Sequence, residues 1–176
     1  YILLVDADDV LVSSYFEMAF NLLEENNEID LIFGDCLYFG NQNKYWKTDW
    51  DEFQQFYKNQ LPITTLFRKS IWIATGGFDE SMNSGYEDWE YWIHAMSKSF
   101  NFKYVPGISF KYRIKKESTN TKAIKQHNEI LKFIHLKHHD FLIQKYIALN
   151  RELHNVKNNR LLLFRFLFRN LLGKRN

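Results

Sequence analysis

Apolar residues follow two different spacings along the chain, and each spacing predicts one type of element. The continuous apolar run at residues 1–5 is typical of a fully buried strand. Residues 15–26 carry apolar side chains three and four positions apart, which predicts a helix that begins with a capping box at 14–17. The same helical spacing returns from Tyr86 onwards. The first helix is expected to bury Phe16, Ala19, Phe20 and Leu23.

The segments between these elements complete an alternating pattern of strands and helices. We expect strands at 30–39, 45–48 and 61–68, a surface helix at 49–58 with Phe53, Phe56 and Tyr57 turned inward, and a helix at 70–75 that ends at Gly76-Gly77. Residues 102–105 and 109–113 are predicted to pair like a hairpin around Pro106-Gly107. Residues 120–172 lack Gly and Pro and are typical of helices, with divisions near 138–140 and 155–159. The predicted fold class is α/β, followed by an α-helical extension.

The composition is that of a folded domain, with 18% aromatic residues and two prolines among 176 residues. The single cysteine, Cys36, excludes an internal disulfide and fits a reducing compartment. Because the chain opens in a strand-like run on Tyr1, we expect it to be part of a longer protein.

The small net charge of +2 hides a strong asymmetry between the two parts of the chain. Residues 1–110 hold 7 Lys/Arg and 17 Asp/Glu, a balance of −10, whereas residues 111–176 hold 16 and 4, a balance of +12. This asymmetry indicates an acidic site and a basic tail that meets an anionic partner. Lipid headgroups suit the tail better than nucleic acid does, since no Gly-rich or aromatic reading platform accompanies it.

Three carboxylates occur in four residues directly after the first predicted strand, at Asp6, Asp8 and Asp9. They repel one another unless a cation lies between them, and Mg²⁺ or Mn²⁺ prefers oxygen ligands that it shares with substrate phosphates. The alternative is a plain acidic loop before the next helix, and the four residues alone do not decide between them. An EF-hand loop is excluded because Leu11 stands where that loop needs Gly.

A second acidic pair, Glu87 and Asp88, falls on the first turn of the helix that follows Tyr86. The simpler explanation is that acids at this position complement the helix dipole. The alternative is that a carboxylate at a helix start, close to the flexible pair Gly76-Gly77, serves as a general base.

These segments together resemble the family 2 glycosyltransferases, inverting enzymes with the GT-A nucleotide-sugar fold. The resemblance covers residues 1–118 and places the GT-A part there, with a basic helical extension at 119–176. The matching motifs, in the family's order and approximate spacing, are Asp6-Ala7-Asp8-Asp9, Thr64-Thr65-Leu66-Phe67-Arg68, Gly76-Gly77-Phe78-Asp79-Glu80, Tyr86-Glu87-Asp88-Trp89-Glu90-Tyr91-Trp92, and Tyr112-Arg113 with Ser118.

The resemblance implies a role for each matching residue. Asp88 is implied as the general base that deprotonates the acceptor hydroxyl, with Glu87 as the alternate base or its orienting partner. Asp8 is implied to bind Mn²⁺ or Mg²⁺ on the donor diphosphate, with Asp6 as a further ligand that approaches the donor. The remaining implied donor-side residues are Asp9, Arg113 and Lys115, and the implied acceptor-side residues are Gly77, Phe78, Asp79 and Trp89.

The chain departs from the family pattern in two respects. The family's N-terminal nucleotide-binding half is absent from this sequence, so we expect this part by itself to be inactive. Lys115 stands where the family commonly has a His that helps to hold the metal or diphosphate. Lys is a poor metal ligand but a good phosphate partner, so we expect Lys115 to contact the diphosphate and to weaken the dependence on metal. A solvated loop lysine is the alternative.

The tail segment 160–172 is basic and strongly apolar, and as a helix it would be ~20 Å long, too short for a ~30 Å hydrocarbon core. It is predicted to lie on an anionic membrane surface. The alternative is packing on its own domain or on another subunit. The expected location is cytoplasmic, with peripheral contact at the inner face of the membrane.

The function predicted from the resemblance is transfer of a sugar, with inversion, from a nucleotide-diphosphate sugar to a hydroxyl of a glycan or lipid-linked acceptor, in bacterial-type surface polysaccharide synthesis. One alternative is a metal-dependent hydrolase that uses the same acids. Another is an inactive binding or assembly module whose working part is the basic helical tail.

Overall fold

The computed structural model describes residues 1–115 and 123–158. The chain forms two compact units, Tyr1–Lys137 and His138–Asn176, which are described separately. The boundary predicted between residues 118 and 119 and the tail segment 160–172 lie outside the described residues.

The first unit contains a mixed six-stranded sheet in the order β1-β5-β3-β6-β2, with β4 paired to β3. Only the long central strands β3 and β6 pair in parallel, and the other pairs are antiparallel. The predicted α/β class is confirmed. The strands are β1 Ile2–Leu3, β2 Val10–Leu11, β3 Leu31–Gly40, β4 Lys44–Trp46, β5 Leu66–Phe67 and β6 Phe102–Ile114; the helices are α1 Ser13–Glu25, α2 Lys69–Thr75, α3 Glu87–Ser97, α4 His127–Lys137 and α5 His139–Asn158, with a 3₁₀ turn at Gln54–Phe56.

Helices cover both faces of the sheet in the first unit. Side chains of β3 alternate between the two faces, with Leu31 and Phe33 on one side and Ile32 on the other. The Leu31 side packs against α2 and α3, and its buried members include Trp92. The Ile32 side packs against α1 through residues such as Leu23. Burial on both faces explains why the first residues of β3, Leu31 to Phe33, are all apolar.

The hairpin predicted around Pro106-Gly107 is wrong, because β6 is one strand that passes through both residues. It runs parallel to β3 from the pair Leu31–Phe102 to the pair Gly40–Ile114, with shifts of register on either side of Asp35. A bulge absorbs the Pro-Gly pair: Pro106 has no N–H to contribute, and Gly107 adopts a φ of +137°.

Asp35 joins the three strands that meet at this bulge. Its carboxylate is 1% exposed and accepts hydrogen bonds from the Tyr45 hydroxyl, from Thr48 N–H at 2.8 Å, from the Tyr104 hydroxyl at 2.8 Å and from Gly107 N–H at 3.2 Å. Burial acts to raise the pKa of Asp35, but these four donors outweigh it and lower the pKa below its usual value.

The first strand and first helix differ from the sequence-based expectation. Instead of a fully buried strand, β1 is a half-buried edge strand of two residues that pairs only with β5. The capping box is also wrong, because α1 begins at Ser13 after Val12, which makes no side-chain cap. Phe20 is 44% exposed, whereas Phe16, Ala19 and Leu23 are buried as predicted.

Two further predictions concern segments on the surface. The helix expected at 49–58 is reduced to the 3₁₀ turn Gln54–Phe56, and Tyr57 is 69% exposed rather than turned inward. The helices α2 and α3 match the predicted spacing, and the apolar face of α3 is buried.

The second unit begins at His138, and its described part is the helix α5. The chain leaves the α-helical conformation for one residue at His138, which confirms the division predicted near 138–140. Within the two described ranges, no helix combines the length and apolarity needed to cross a membrane.

Candidate functional site

A cleft of about 440 Å³ opens in the first unit between the sheet and the start of α3. The sheet side is rich in aromatic rings, and the opposite side carries both acids of the pair Glu87–Asp88. Asp6 lines the same cleft, so one acid of the first predicted cluster shares an opening with Glu87 and Asp88. The lining residues are Asp6, Cys36, Tyr38, Trp46, Tyr57, Lys58, Asn59, Leu61, Pro62, Ile63, Gly85, Tyr86, Glu87, Asp88, Trp89, Phe110, Tyr112 and His127.

Asp6 and Asp8 lie on a tight turn that links β1 to β2, in which Asp9 N–H donates to the carbonyl of Asp6 at 3.1 Å. The Lys115 ammonium lies 2.6 Å from a carboxylate oxygen of Asp8, and this hydrogen bond lowers the pKa of Asp8. Arg113 Nε donates to the backbone carbonyl of Asp8 at 3.1 Å. Arg113 at the end of β6 and Lys115 just after it thus bring two cations to the acidic turn.

Asp9 faces β6 and is partly buried. Its Oδ1 accepts the backbone N–H of Arg113 at 2.9 Å, whereas its Oδ2 is buried and has no hydrogen-bond partner. Burial raises the pKa of Asp9, and the charges of Asp6 and Asp8 act in the same direction. The carboxylate therefore ties the turn to the end of β6 through Oδ1 and leaves its buried Oδ2 without a hydrogen-bond donor.

The donor set of the turn fits a hard divalent cation. Across the described ranges, no group of three or more His, Cys, Asp or Glu side chains converges on a metal position. Mg²⁺, however, commonly takes one or two carboxylates and completes its shell with water and substrate phosphates. Asp8 and Asp6 would supply such oxygens, and Oδ2 of Asp9 on the same turn has no hydrogen-bond partner.

The start of α3 holds Asp88 on the cleft. Tyr86 immediately precedes the helix, and its backbone adopts the left-handed conformation with a φ of +66°. The loop ends at this residue, and the helix begins at Glu87. Asp88 Oδ1 accepts the N–H of Trp89 at 2.7 Å, and Oδ2 accepts the side-chain amide N–H of Asn59 at 3.0 Å. Desolvation, followed by the charge of Glu87, raises the pKa of Asp88 to about 7.

The four residues implied on the acceptor side do not lie together. Trp89 lines the cleft, and its indole N–H donates to the Gln55 carbonyl at 2.6 Å. Phe78 packs away from the cleft lining, against Trp72 and Tyr91. Asp79 accepts Lys137 Nζ at 2.5 Å and the hydroxyl of Ser81 at 2.6 Å, and the Lys137 bond chiefly lowers its pKa.

Gly77 supports this packing, and we expect Gly77→Ala to lower the free energy of unfolding by about 2–3 kcal/mol. Its φ is +86°, and an added Cβ would lie 2.8 Å from Cζ2 of Trp72, a ring held by Phe78 and Tyr91. Gly76→Ala is the matched control, because φ is +79° there but no heavy atom lies within 4 Å of the added Cβ. Denaturant unfolding of both variants measures the difference, and equal losses would contradict the predicted clash.

Sequence reasoning missed three polar residues of this region. Asn59 bonds Asp88, and His127 Nδ1 lies 3.3 Å from the Tyr86 hydroxyl. Lys137 spans Asp79 and the buried Glu90, with its ammonium 2.8 Å from the latter. No local motif marks these residues, because each meets its partner through a segment distant in sequence. The burial of Glu90 that calls for a cation such as Lys137 is visible only in the structure.

Comparisons with known proteins agree with the motif series. A family model described as "Glycosyltransferase like family 2" matches residues 1–129. The chain is also similar to an uncharacterized glycosyltransferase of Methanocaldococcus jannaschii, with 28% identity over 148 residues that cover 79% of this chain and 50% of that protein. The chain thus spans about half the length of the curated relative that it matches.

Proposed function

Because the chain belongs to the glycosyltransferase like family 2, we propose that it forms the acceptor-side part of an enzyme that moves a sugar, with inversion, from a nucleotide-diphosphate sugar to a hydroxyl group. The observation that carries this proposal is the cleft that Asp6 and Asp88 share. A donor-side acid and a base whose pKa is about 7 thereby line one opening. A base poised near neutral pH is suited to accept a proton from a substrate hydroxyl.

The proposed reaction is a single displacement. The acceptor oxygen attacks the anomeric carbon, and a C–O bond forms there as the bond from that carbon to the diphosphate oxygen breaks. The hydroxyl proton passes to the carboxylate of Asp88, and the electron pair of the broken bond leaves with the nucleoside diphosphate. Attack from the side opposite the leaving group inverts the configuration at the anomeric carbon.

The departing diphosphate needs positive charge, which the end of β6 provides in this proposal. Two basic side chains, Lys115 and Arg113, lie at the acidic turn. A divalent ion held by Asp8 and Asp6 would supply further positive charge to the same phosphates. Since Lys115 pairs directly with Asp8, its ammonium stands close to where such an ion would bind.

We predict that Lys115→Ala raises the KM for the donor about tenfold and makes turnover more dependent on Mn²⁺, since a diphosphate contact is lost. Lys111→Ala is the matched control, because Lys111 is an exposed lysine on β6, four residues before Lys115. Steady-state kinetics with and without Mn²⁺ measure both effects. Unchanged donor affinity and metal response in Lys115→Ala would show that Lys115 is only a solvated partner of Asp8.

The proposed function is tested with the complete protein that contains this chain. Nucleotide sugars are screened for release of nucleoside diphosphate in the presence and absence of acceptor glycans or lipid-linked sugars. The proposal requires that release of nucleoside diphosphate depend on both the donor and the acceptor. The glycosylated product must have the inverted configuration at the anomeric carbon. Release of free sugar without an acceptor would indicate a hydrolase instead. Absence of release with any donor, in a folded protein that binds anionic liposomes, would indicate a binding module.

We further infer a role in the synthesis of surface glycans at the inner face of a membrane. The charge balance of +12 over residues 111–176 supports attraction to anionic lipid. The tail segment 160–172, which lies outside the described residues, is the proposed contact. Sedimentation with phosphatidylglycerol vesicles, compared with neutral vesicles, tests this inference in the complete protein.

A further inference from the structure

The side-chain amide of Asn59 contacts Asp88, the proposed base. The orientation of this amide is fixed by a neighbouring group that can only donate a hydrogen bond. Its side-chain Oδ1 accepts the backbone N–H of Leu61 at 3.3 Å, and a backbone N–H can only donate. The oxygen of the amide is therefore turned toward Leu61. The NH₂ group is left to face Asp88 Oδ2, to which it donates at 3.0 Å.

The side-chain amide of Gln55 is oriented in the same way and in turn contacts Asn59. Gln55 is fully buried, and its Oε1 accepts the backbone N–H of Gln60 at 2.8 Å. Its Nε2 therefore donates, and the acceptor is Oδ1 of Asn59 at 3.1 Å. The backbone carbonyl of Gln55 also accepts the indole N–H of Trp89 at 2.6 Å, which ties the same segment to α3.

We propose that Asn59 is a positioning residue for the base, and that Gln55 locks its amide so that the NH₂ group can only donate to Asp88. This inference rests on the proposed function and assigns to residues 55–61 a role that no motif indicates. Oδ1 of Asp88 is held by the N–H of Trp89 and Oδ2 by Asn59, so the carboxylate plane is fixed. Each oxygen retains a lone pair for an acceptor hydroxyl in the cleft.

The fixed donor also favours one protonation state of Asp88. A group that only donates stabilises the ionised carboxylate and opposes the protonated one. Burial and the charge of Glu87 raise the pKa of Asp88, whereas the bonds from Trp89 and Asn59 lower it. Asn59 thus offsets part of the effect of burial and keeps the base in its active form near neutral pH. The other titratable groups that line the cleft are Asp6, Cys36, Tyr38, Tyr57, Lys58, Tyr86, Tyr112 and His127.

The test compares Asn59→Asp and Asn59→Ala with the wild type in the complete protein. Asn59→Asp keeps the shape but replaces the donor by a second carboxylate, and we expect the acidic midpoint of kcat/KM to rise by about one pH unit or more. The rate at pH 7 then falls about fivefold or more and recovers in alkaline buffer. Asn59→Ala, which adds no charge, shifts the midpoint in the same direction by less and serves if the aspartate variant does not fold.

Asn21→Asp is the matched control, because it makes the same change on the exposed face of α1. Its pH profile should coincide with that of the wild type. A loss in Asn59→Ala that is uniform across the pH range, with an unshifted midpoint, would overturn the inference and leave a structural role. A wild-type profile in both Asn59 variants would overturn it as well.

A readout without catalysis separates this inference from the proposed function. The Cγ resonance of Asp88 in protein labelled with ¹³C-aspartate reports its titration directly, and Asp88→Asn identifies the signal. We expect the midpoint to rise in both Asn59 variants even when no donor is present. An unchanged midpoint would refute the link between the two side chains, whereas transfer that persists in Asp88→Asn would refute the base and leave the titration result standing.

Discussion

Replacing Asp88 by Asn is expected to lower kcat for sugar transfer by about 10²- to 10⁴-fold, the usual contribution of a general base. Asparagine keeps the size of the side chain but cannot accept the hydroxyl proton at neutral pH. The donor contacts at the acidic turn are untouched, so the KM for the donor should change little. Release of nucleoside diphosphate, followed in the presence of acceptor, measures the loss.

The pH profile gives this prediction a second readout. Desolvation and the charge of Glu87 raise the pKa of Asp88 to about 7, so wild-type kcat/KM should rise with pH through that value. This rise of kcat/KM with pH should disappear in Asp88→Asn. Glu87→Gln is the comparison variant, because Glu87 is the alternate base and the neighbouring acid on the same helical turn. A larger loss in Glu87→Gln than in Asp88→Asn would reverse the two roles.

Asp88→Asn is expected to stabilise the folded protein above pH 7, although it lowers the rate of sugar transfer. Because the pKa of folded Asp88 lies above its unfolded value, the folded state binds more protons between about pH 4 and pH 7. The wild type therefore loses stability as pH rises through this window, and Asp88→Asn does not. We expect the variant to have a higher Tm than the wild type above pH 7 and no such advantage below pH 4. A lower Tm at all pH values would instead attribute the lost activity to misfolding.

Replacing Asp35 by Ala is expected to lower the free energy of unfolding by about 3–5 kcal/mol, and the Tm by roughly 10 °C. The buried carboxylate accepts four hydrogen bonds. The donors are Tyr45 on β4, Thr48 just after β4, and Tyr104 and Gly107 on β6. Its removal leaves the N–H groups of Thr48 and Gly107 and the hydroxyl of Tyr104 without this acceptor. Thermal and denaturant unfolding of the variant measure the loss.

The effect of Asp35 should depend on pH. Its pKa in the folded state is lowered, so its contribution is present above the unfolded value near 4 and is lost as pH falls through the folded value. The difference between wild type and Asp35→Ala should therefore shrink below pH 4. Glu28→Ala, at an exposed position of the same charge, is the control and should stay within about 0.5 kcal/mol of the wild type. An equally small loss in Asp35→Ala would contradict the expectation that its carboxylate holds β3, β4 and β6 together.

Several elements of the fold were predictable because they depend on local spacing. The apolar residues of α3 recur at three and four positions, so its buried face and the placement of Asp88 on its first turn follow from the sequence. The helix α2 ends at Gly76 for a similarly local reason, since glycine readily adopts the left-handed conformation found there. The acidic turn at Asp6 was predictable as a cluster, although its partners in β6 were implied only by a family resemblance.

Other features could not be read from local patterns, because distant segments decide them. The pair Pro106-Gly107 has the composition of a turn, yet β3 and the carboxylate of Asp35 hold it within one strand as a bulge. Phe20 lies at helical spacing with buried residues, but nothing in the sequence specifies how far the sheet extends beneath α1. The amide of Asn59 meets Asp88 only because residues 55–61 fold back against α3.

The sequence by itself determined the alternation of helices and strands, the charge asymmetry and the two acidic clusters, since each depends on residue type and short spacing. Only the tertiary structure decided that Asp6 and Asp88 share a cleft and that Lys115 pairs with Asp8. It also placed Phe78 and Asp79 in packing and ion-pair contacts away from the cleft lining. Hydrophobic spacing encodes which face of an element is buried, whereas the pairing of polar groups depends on which segments the packed core brings within hydrogen-bond distance.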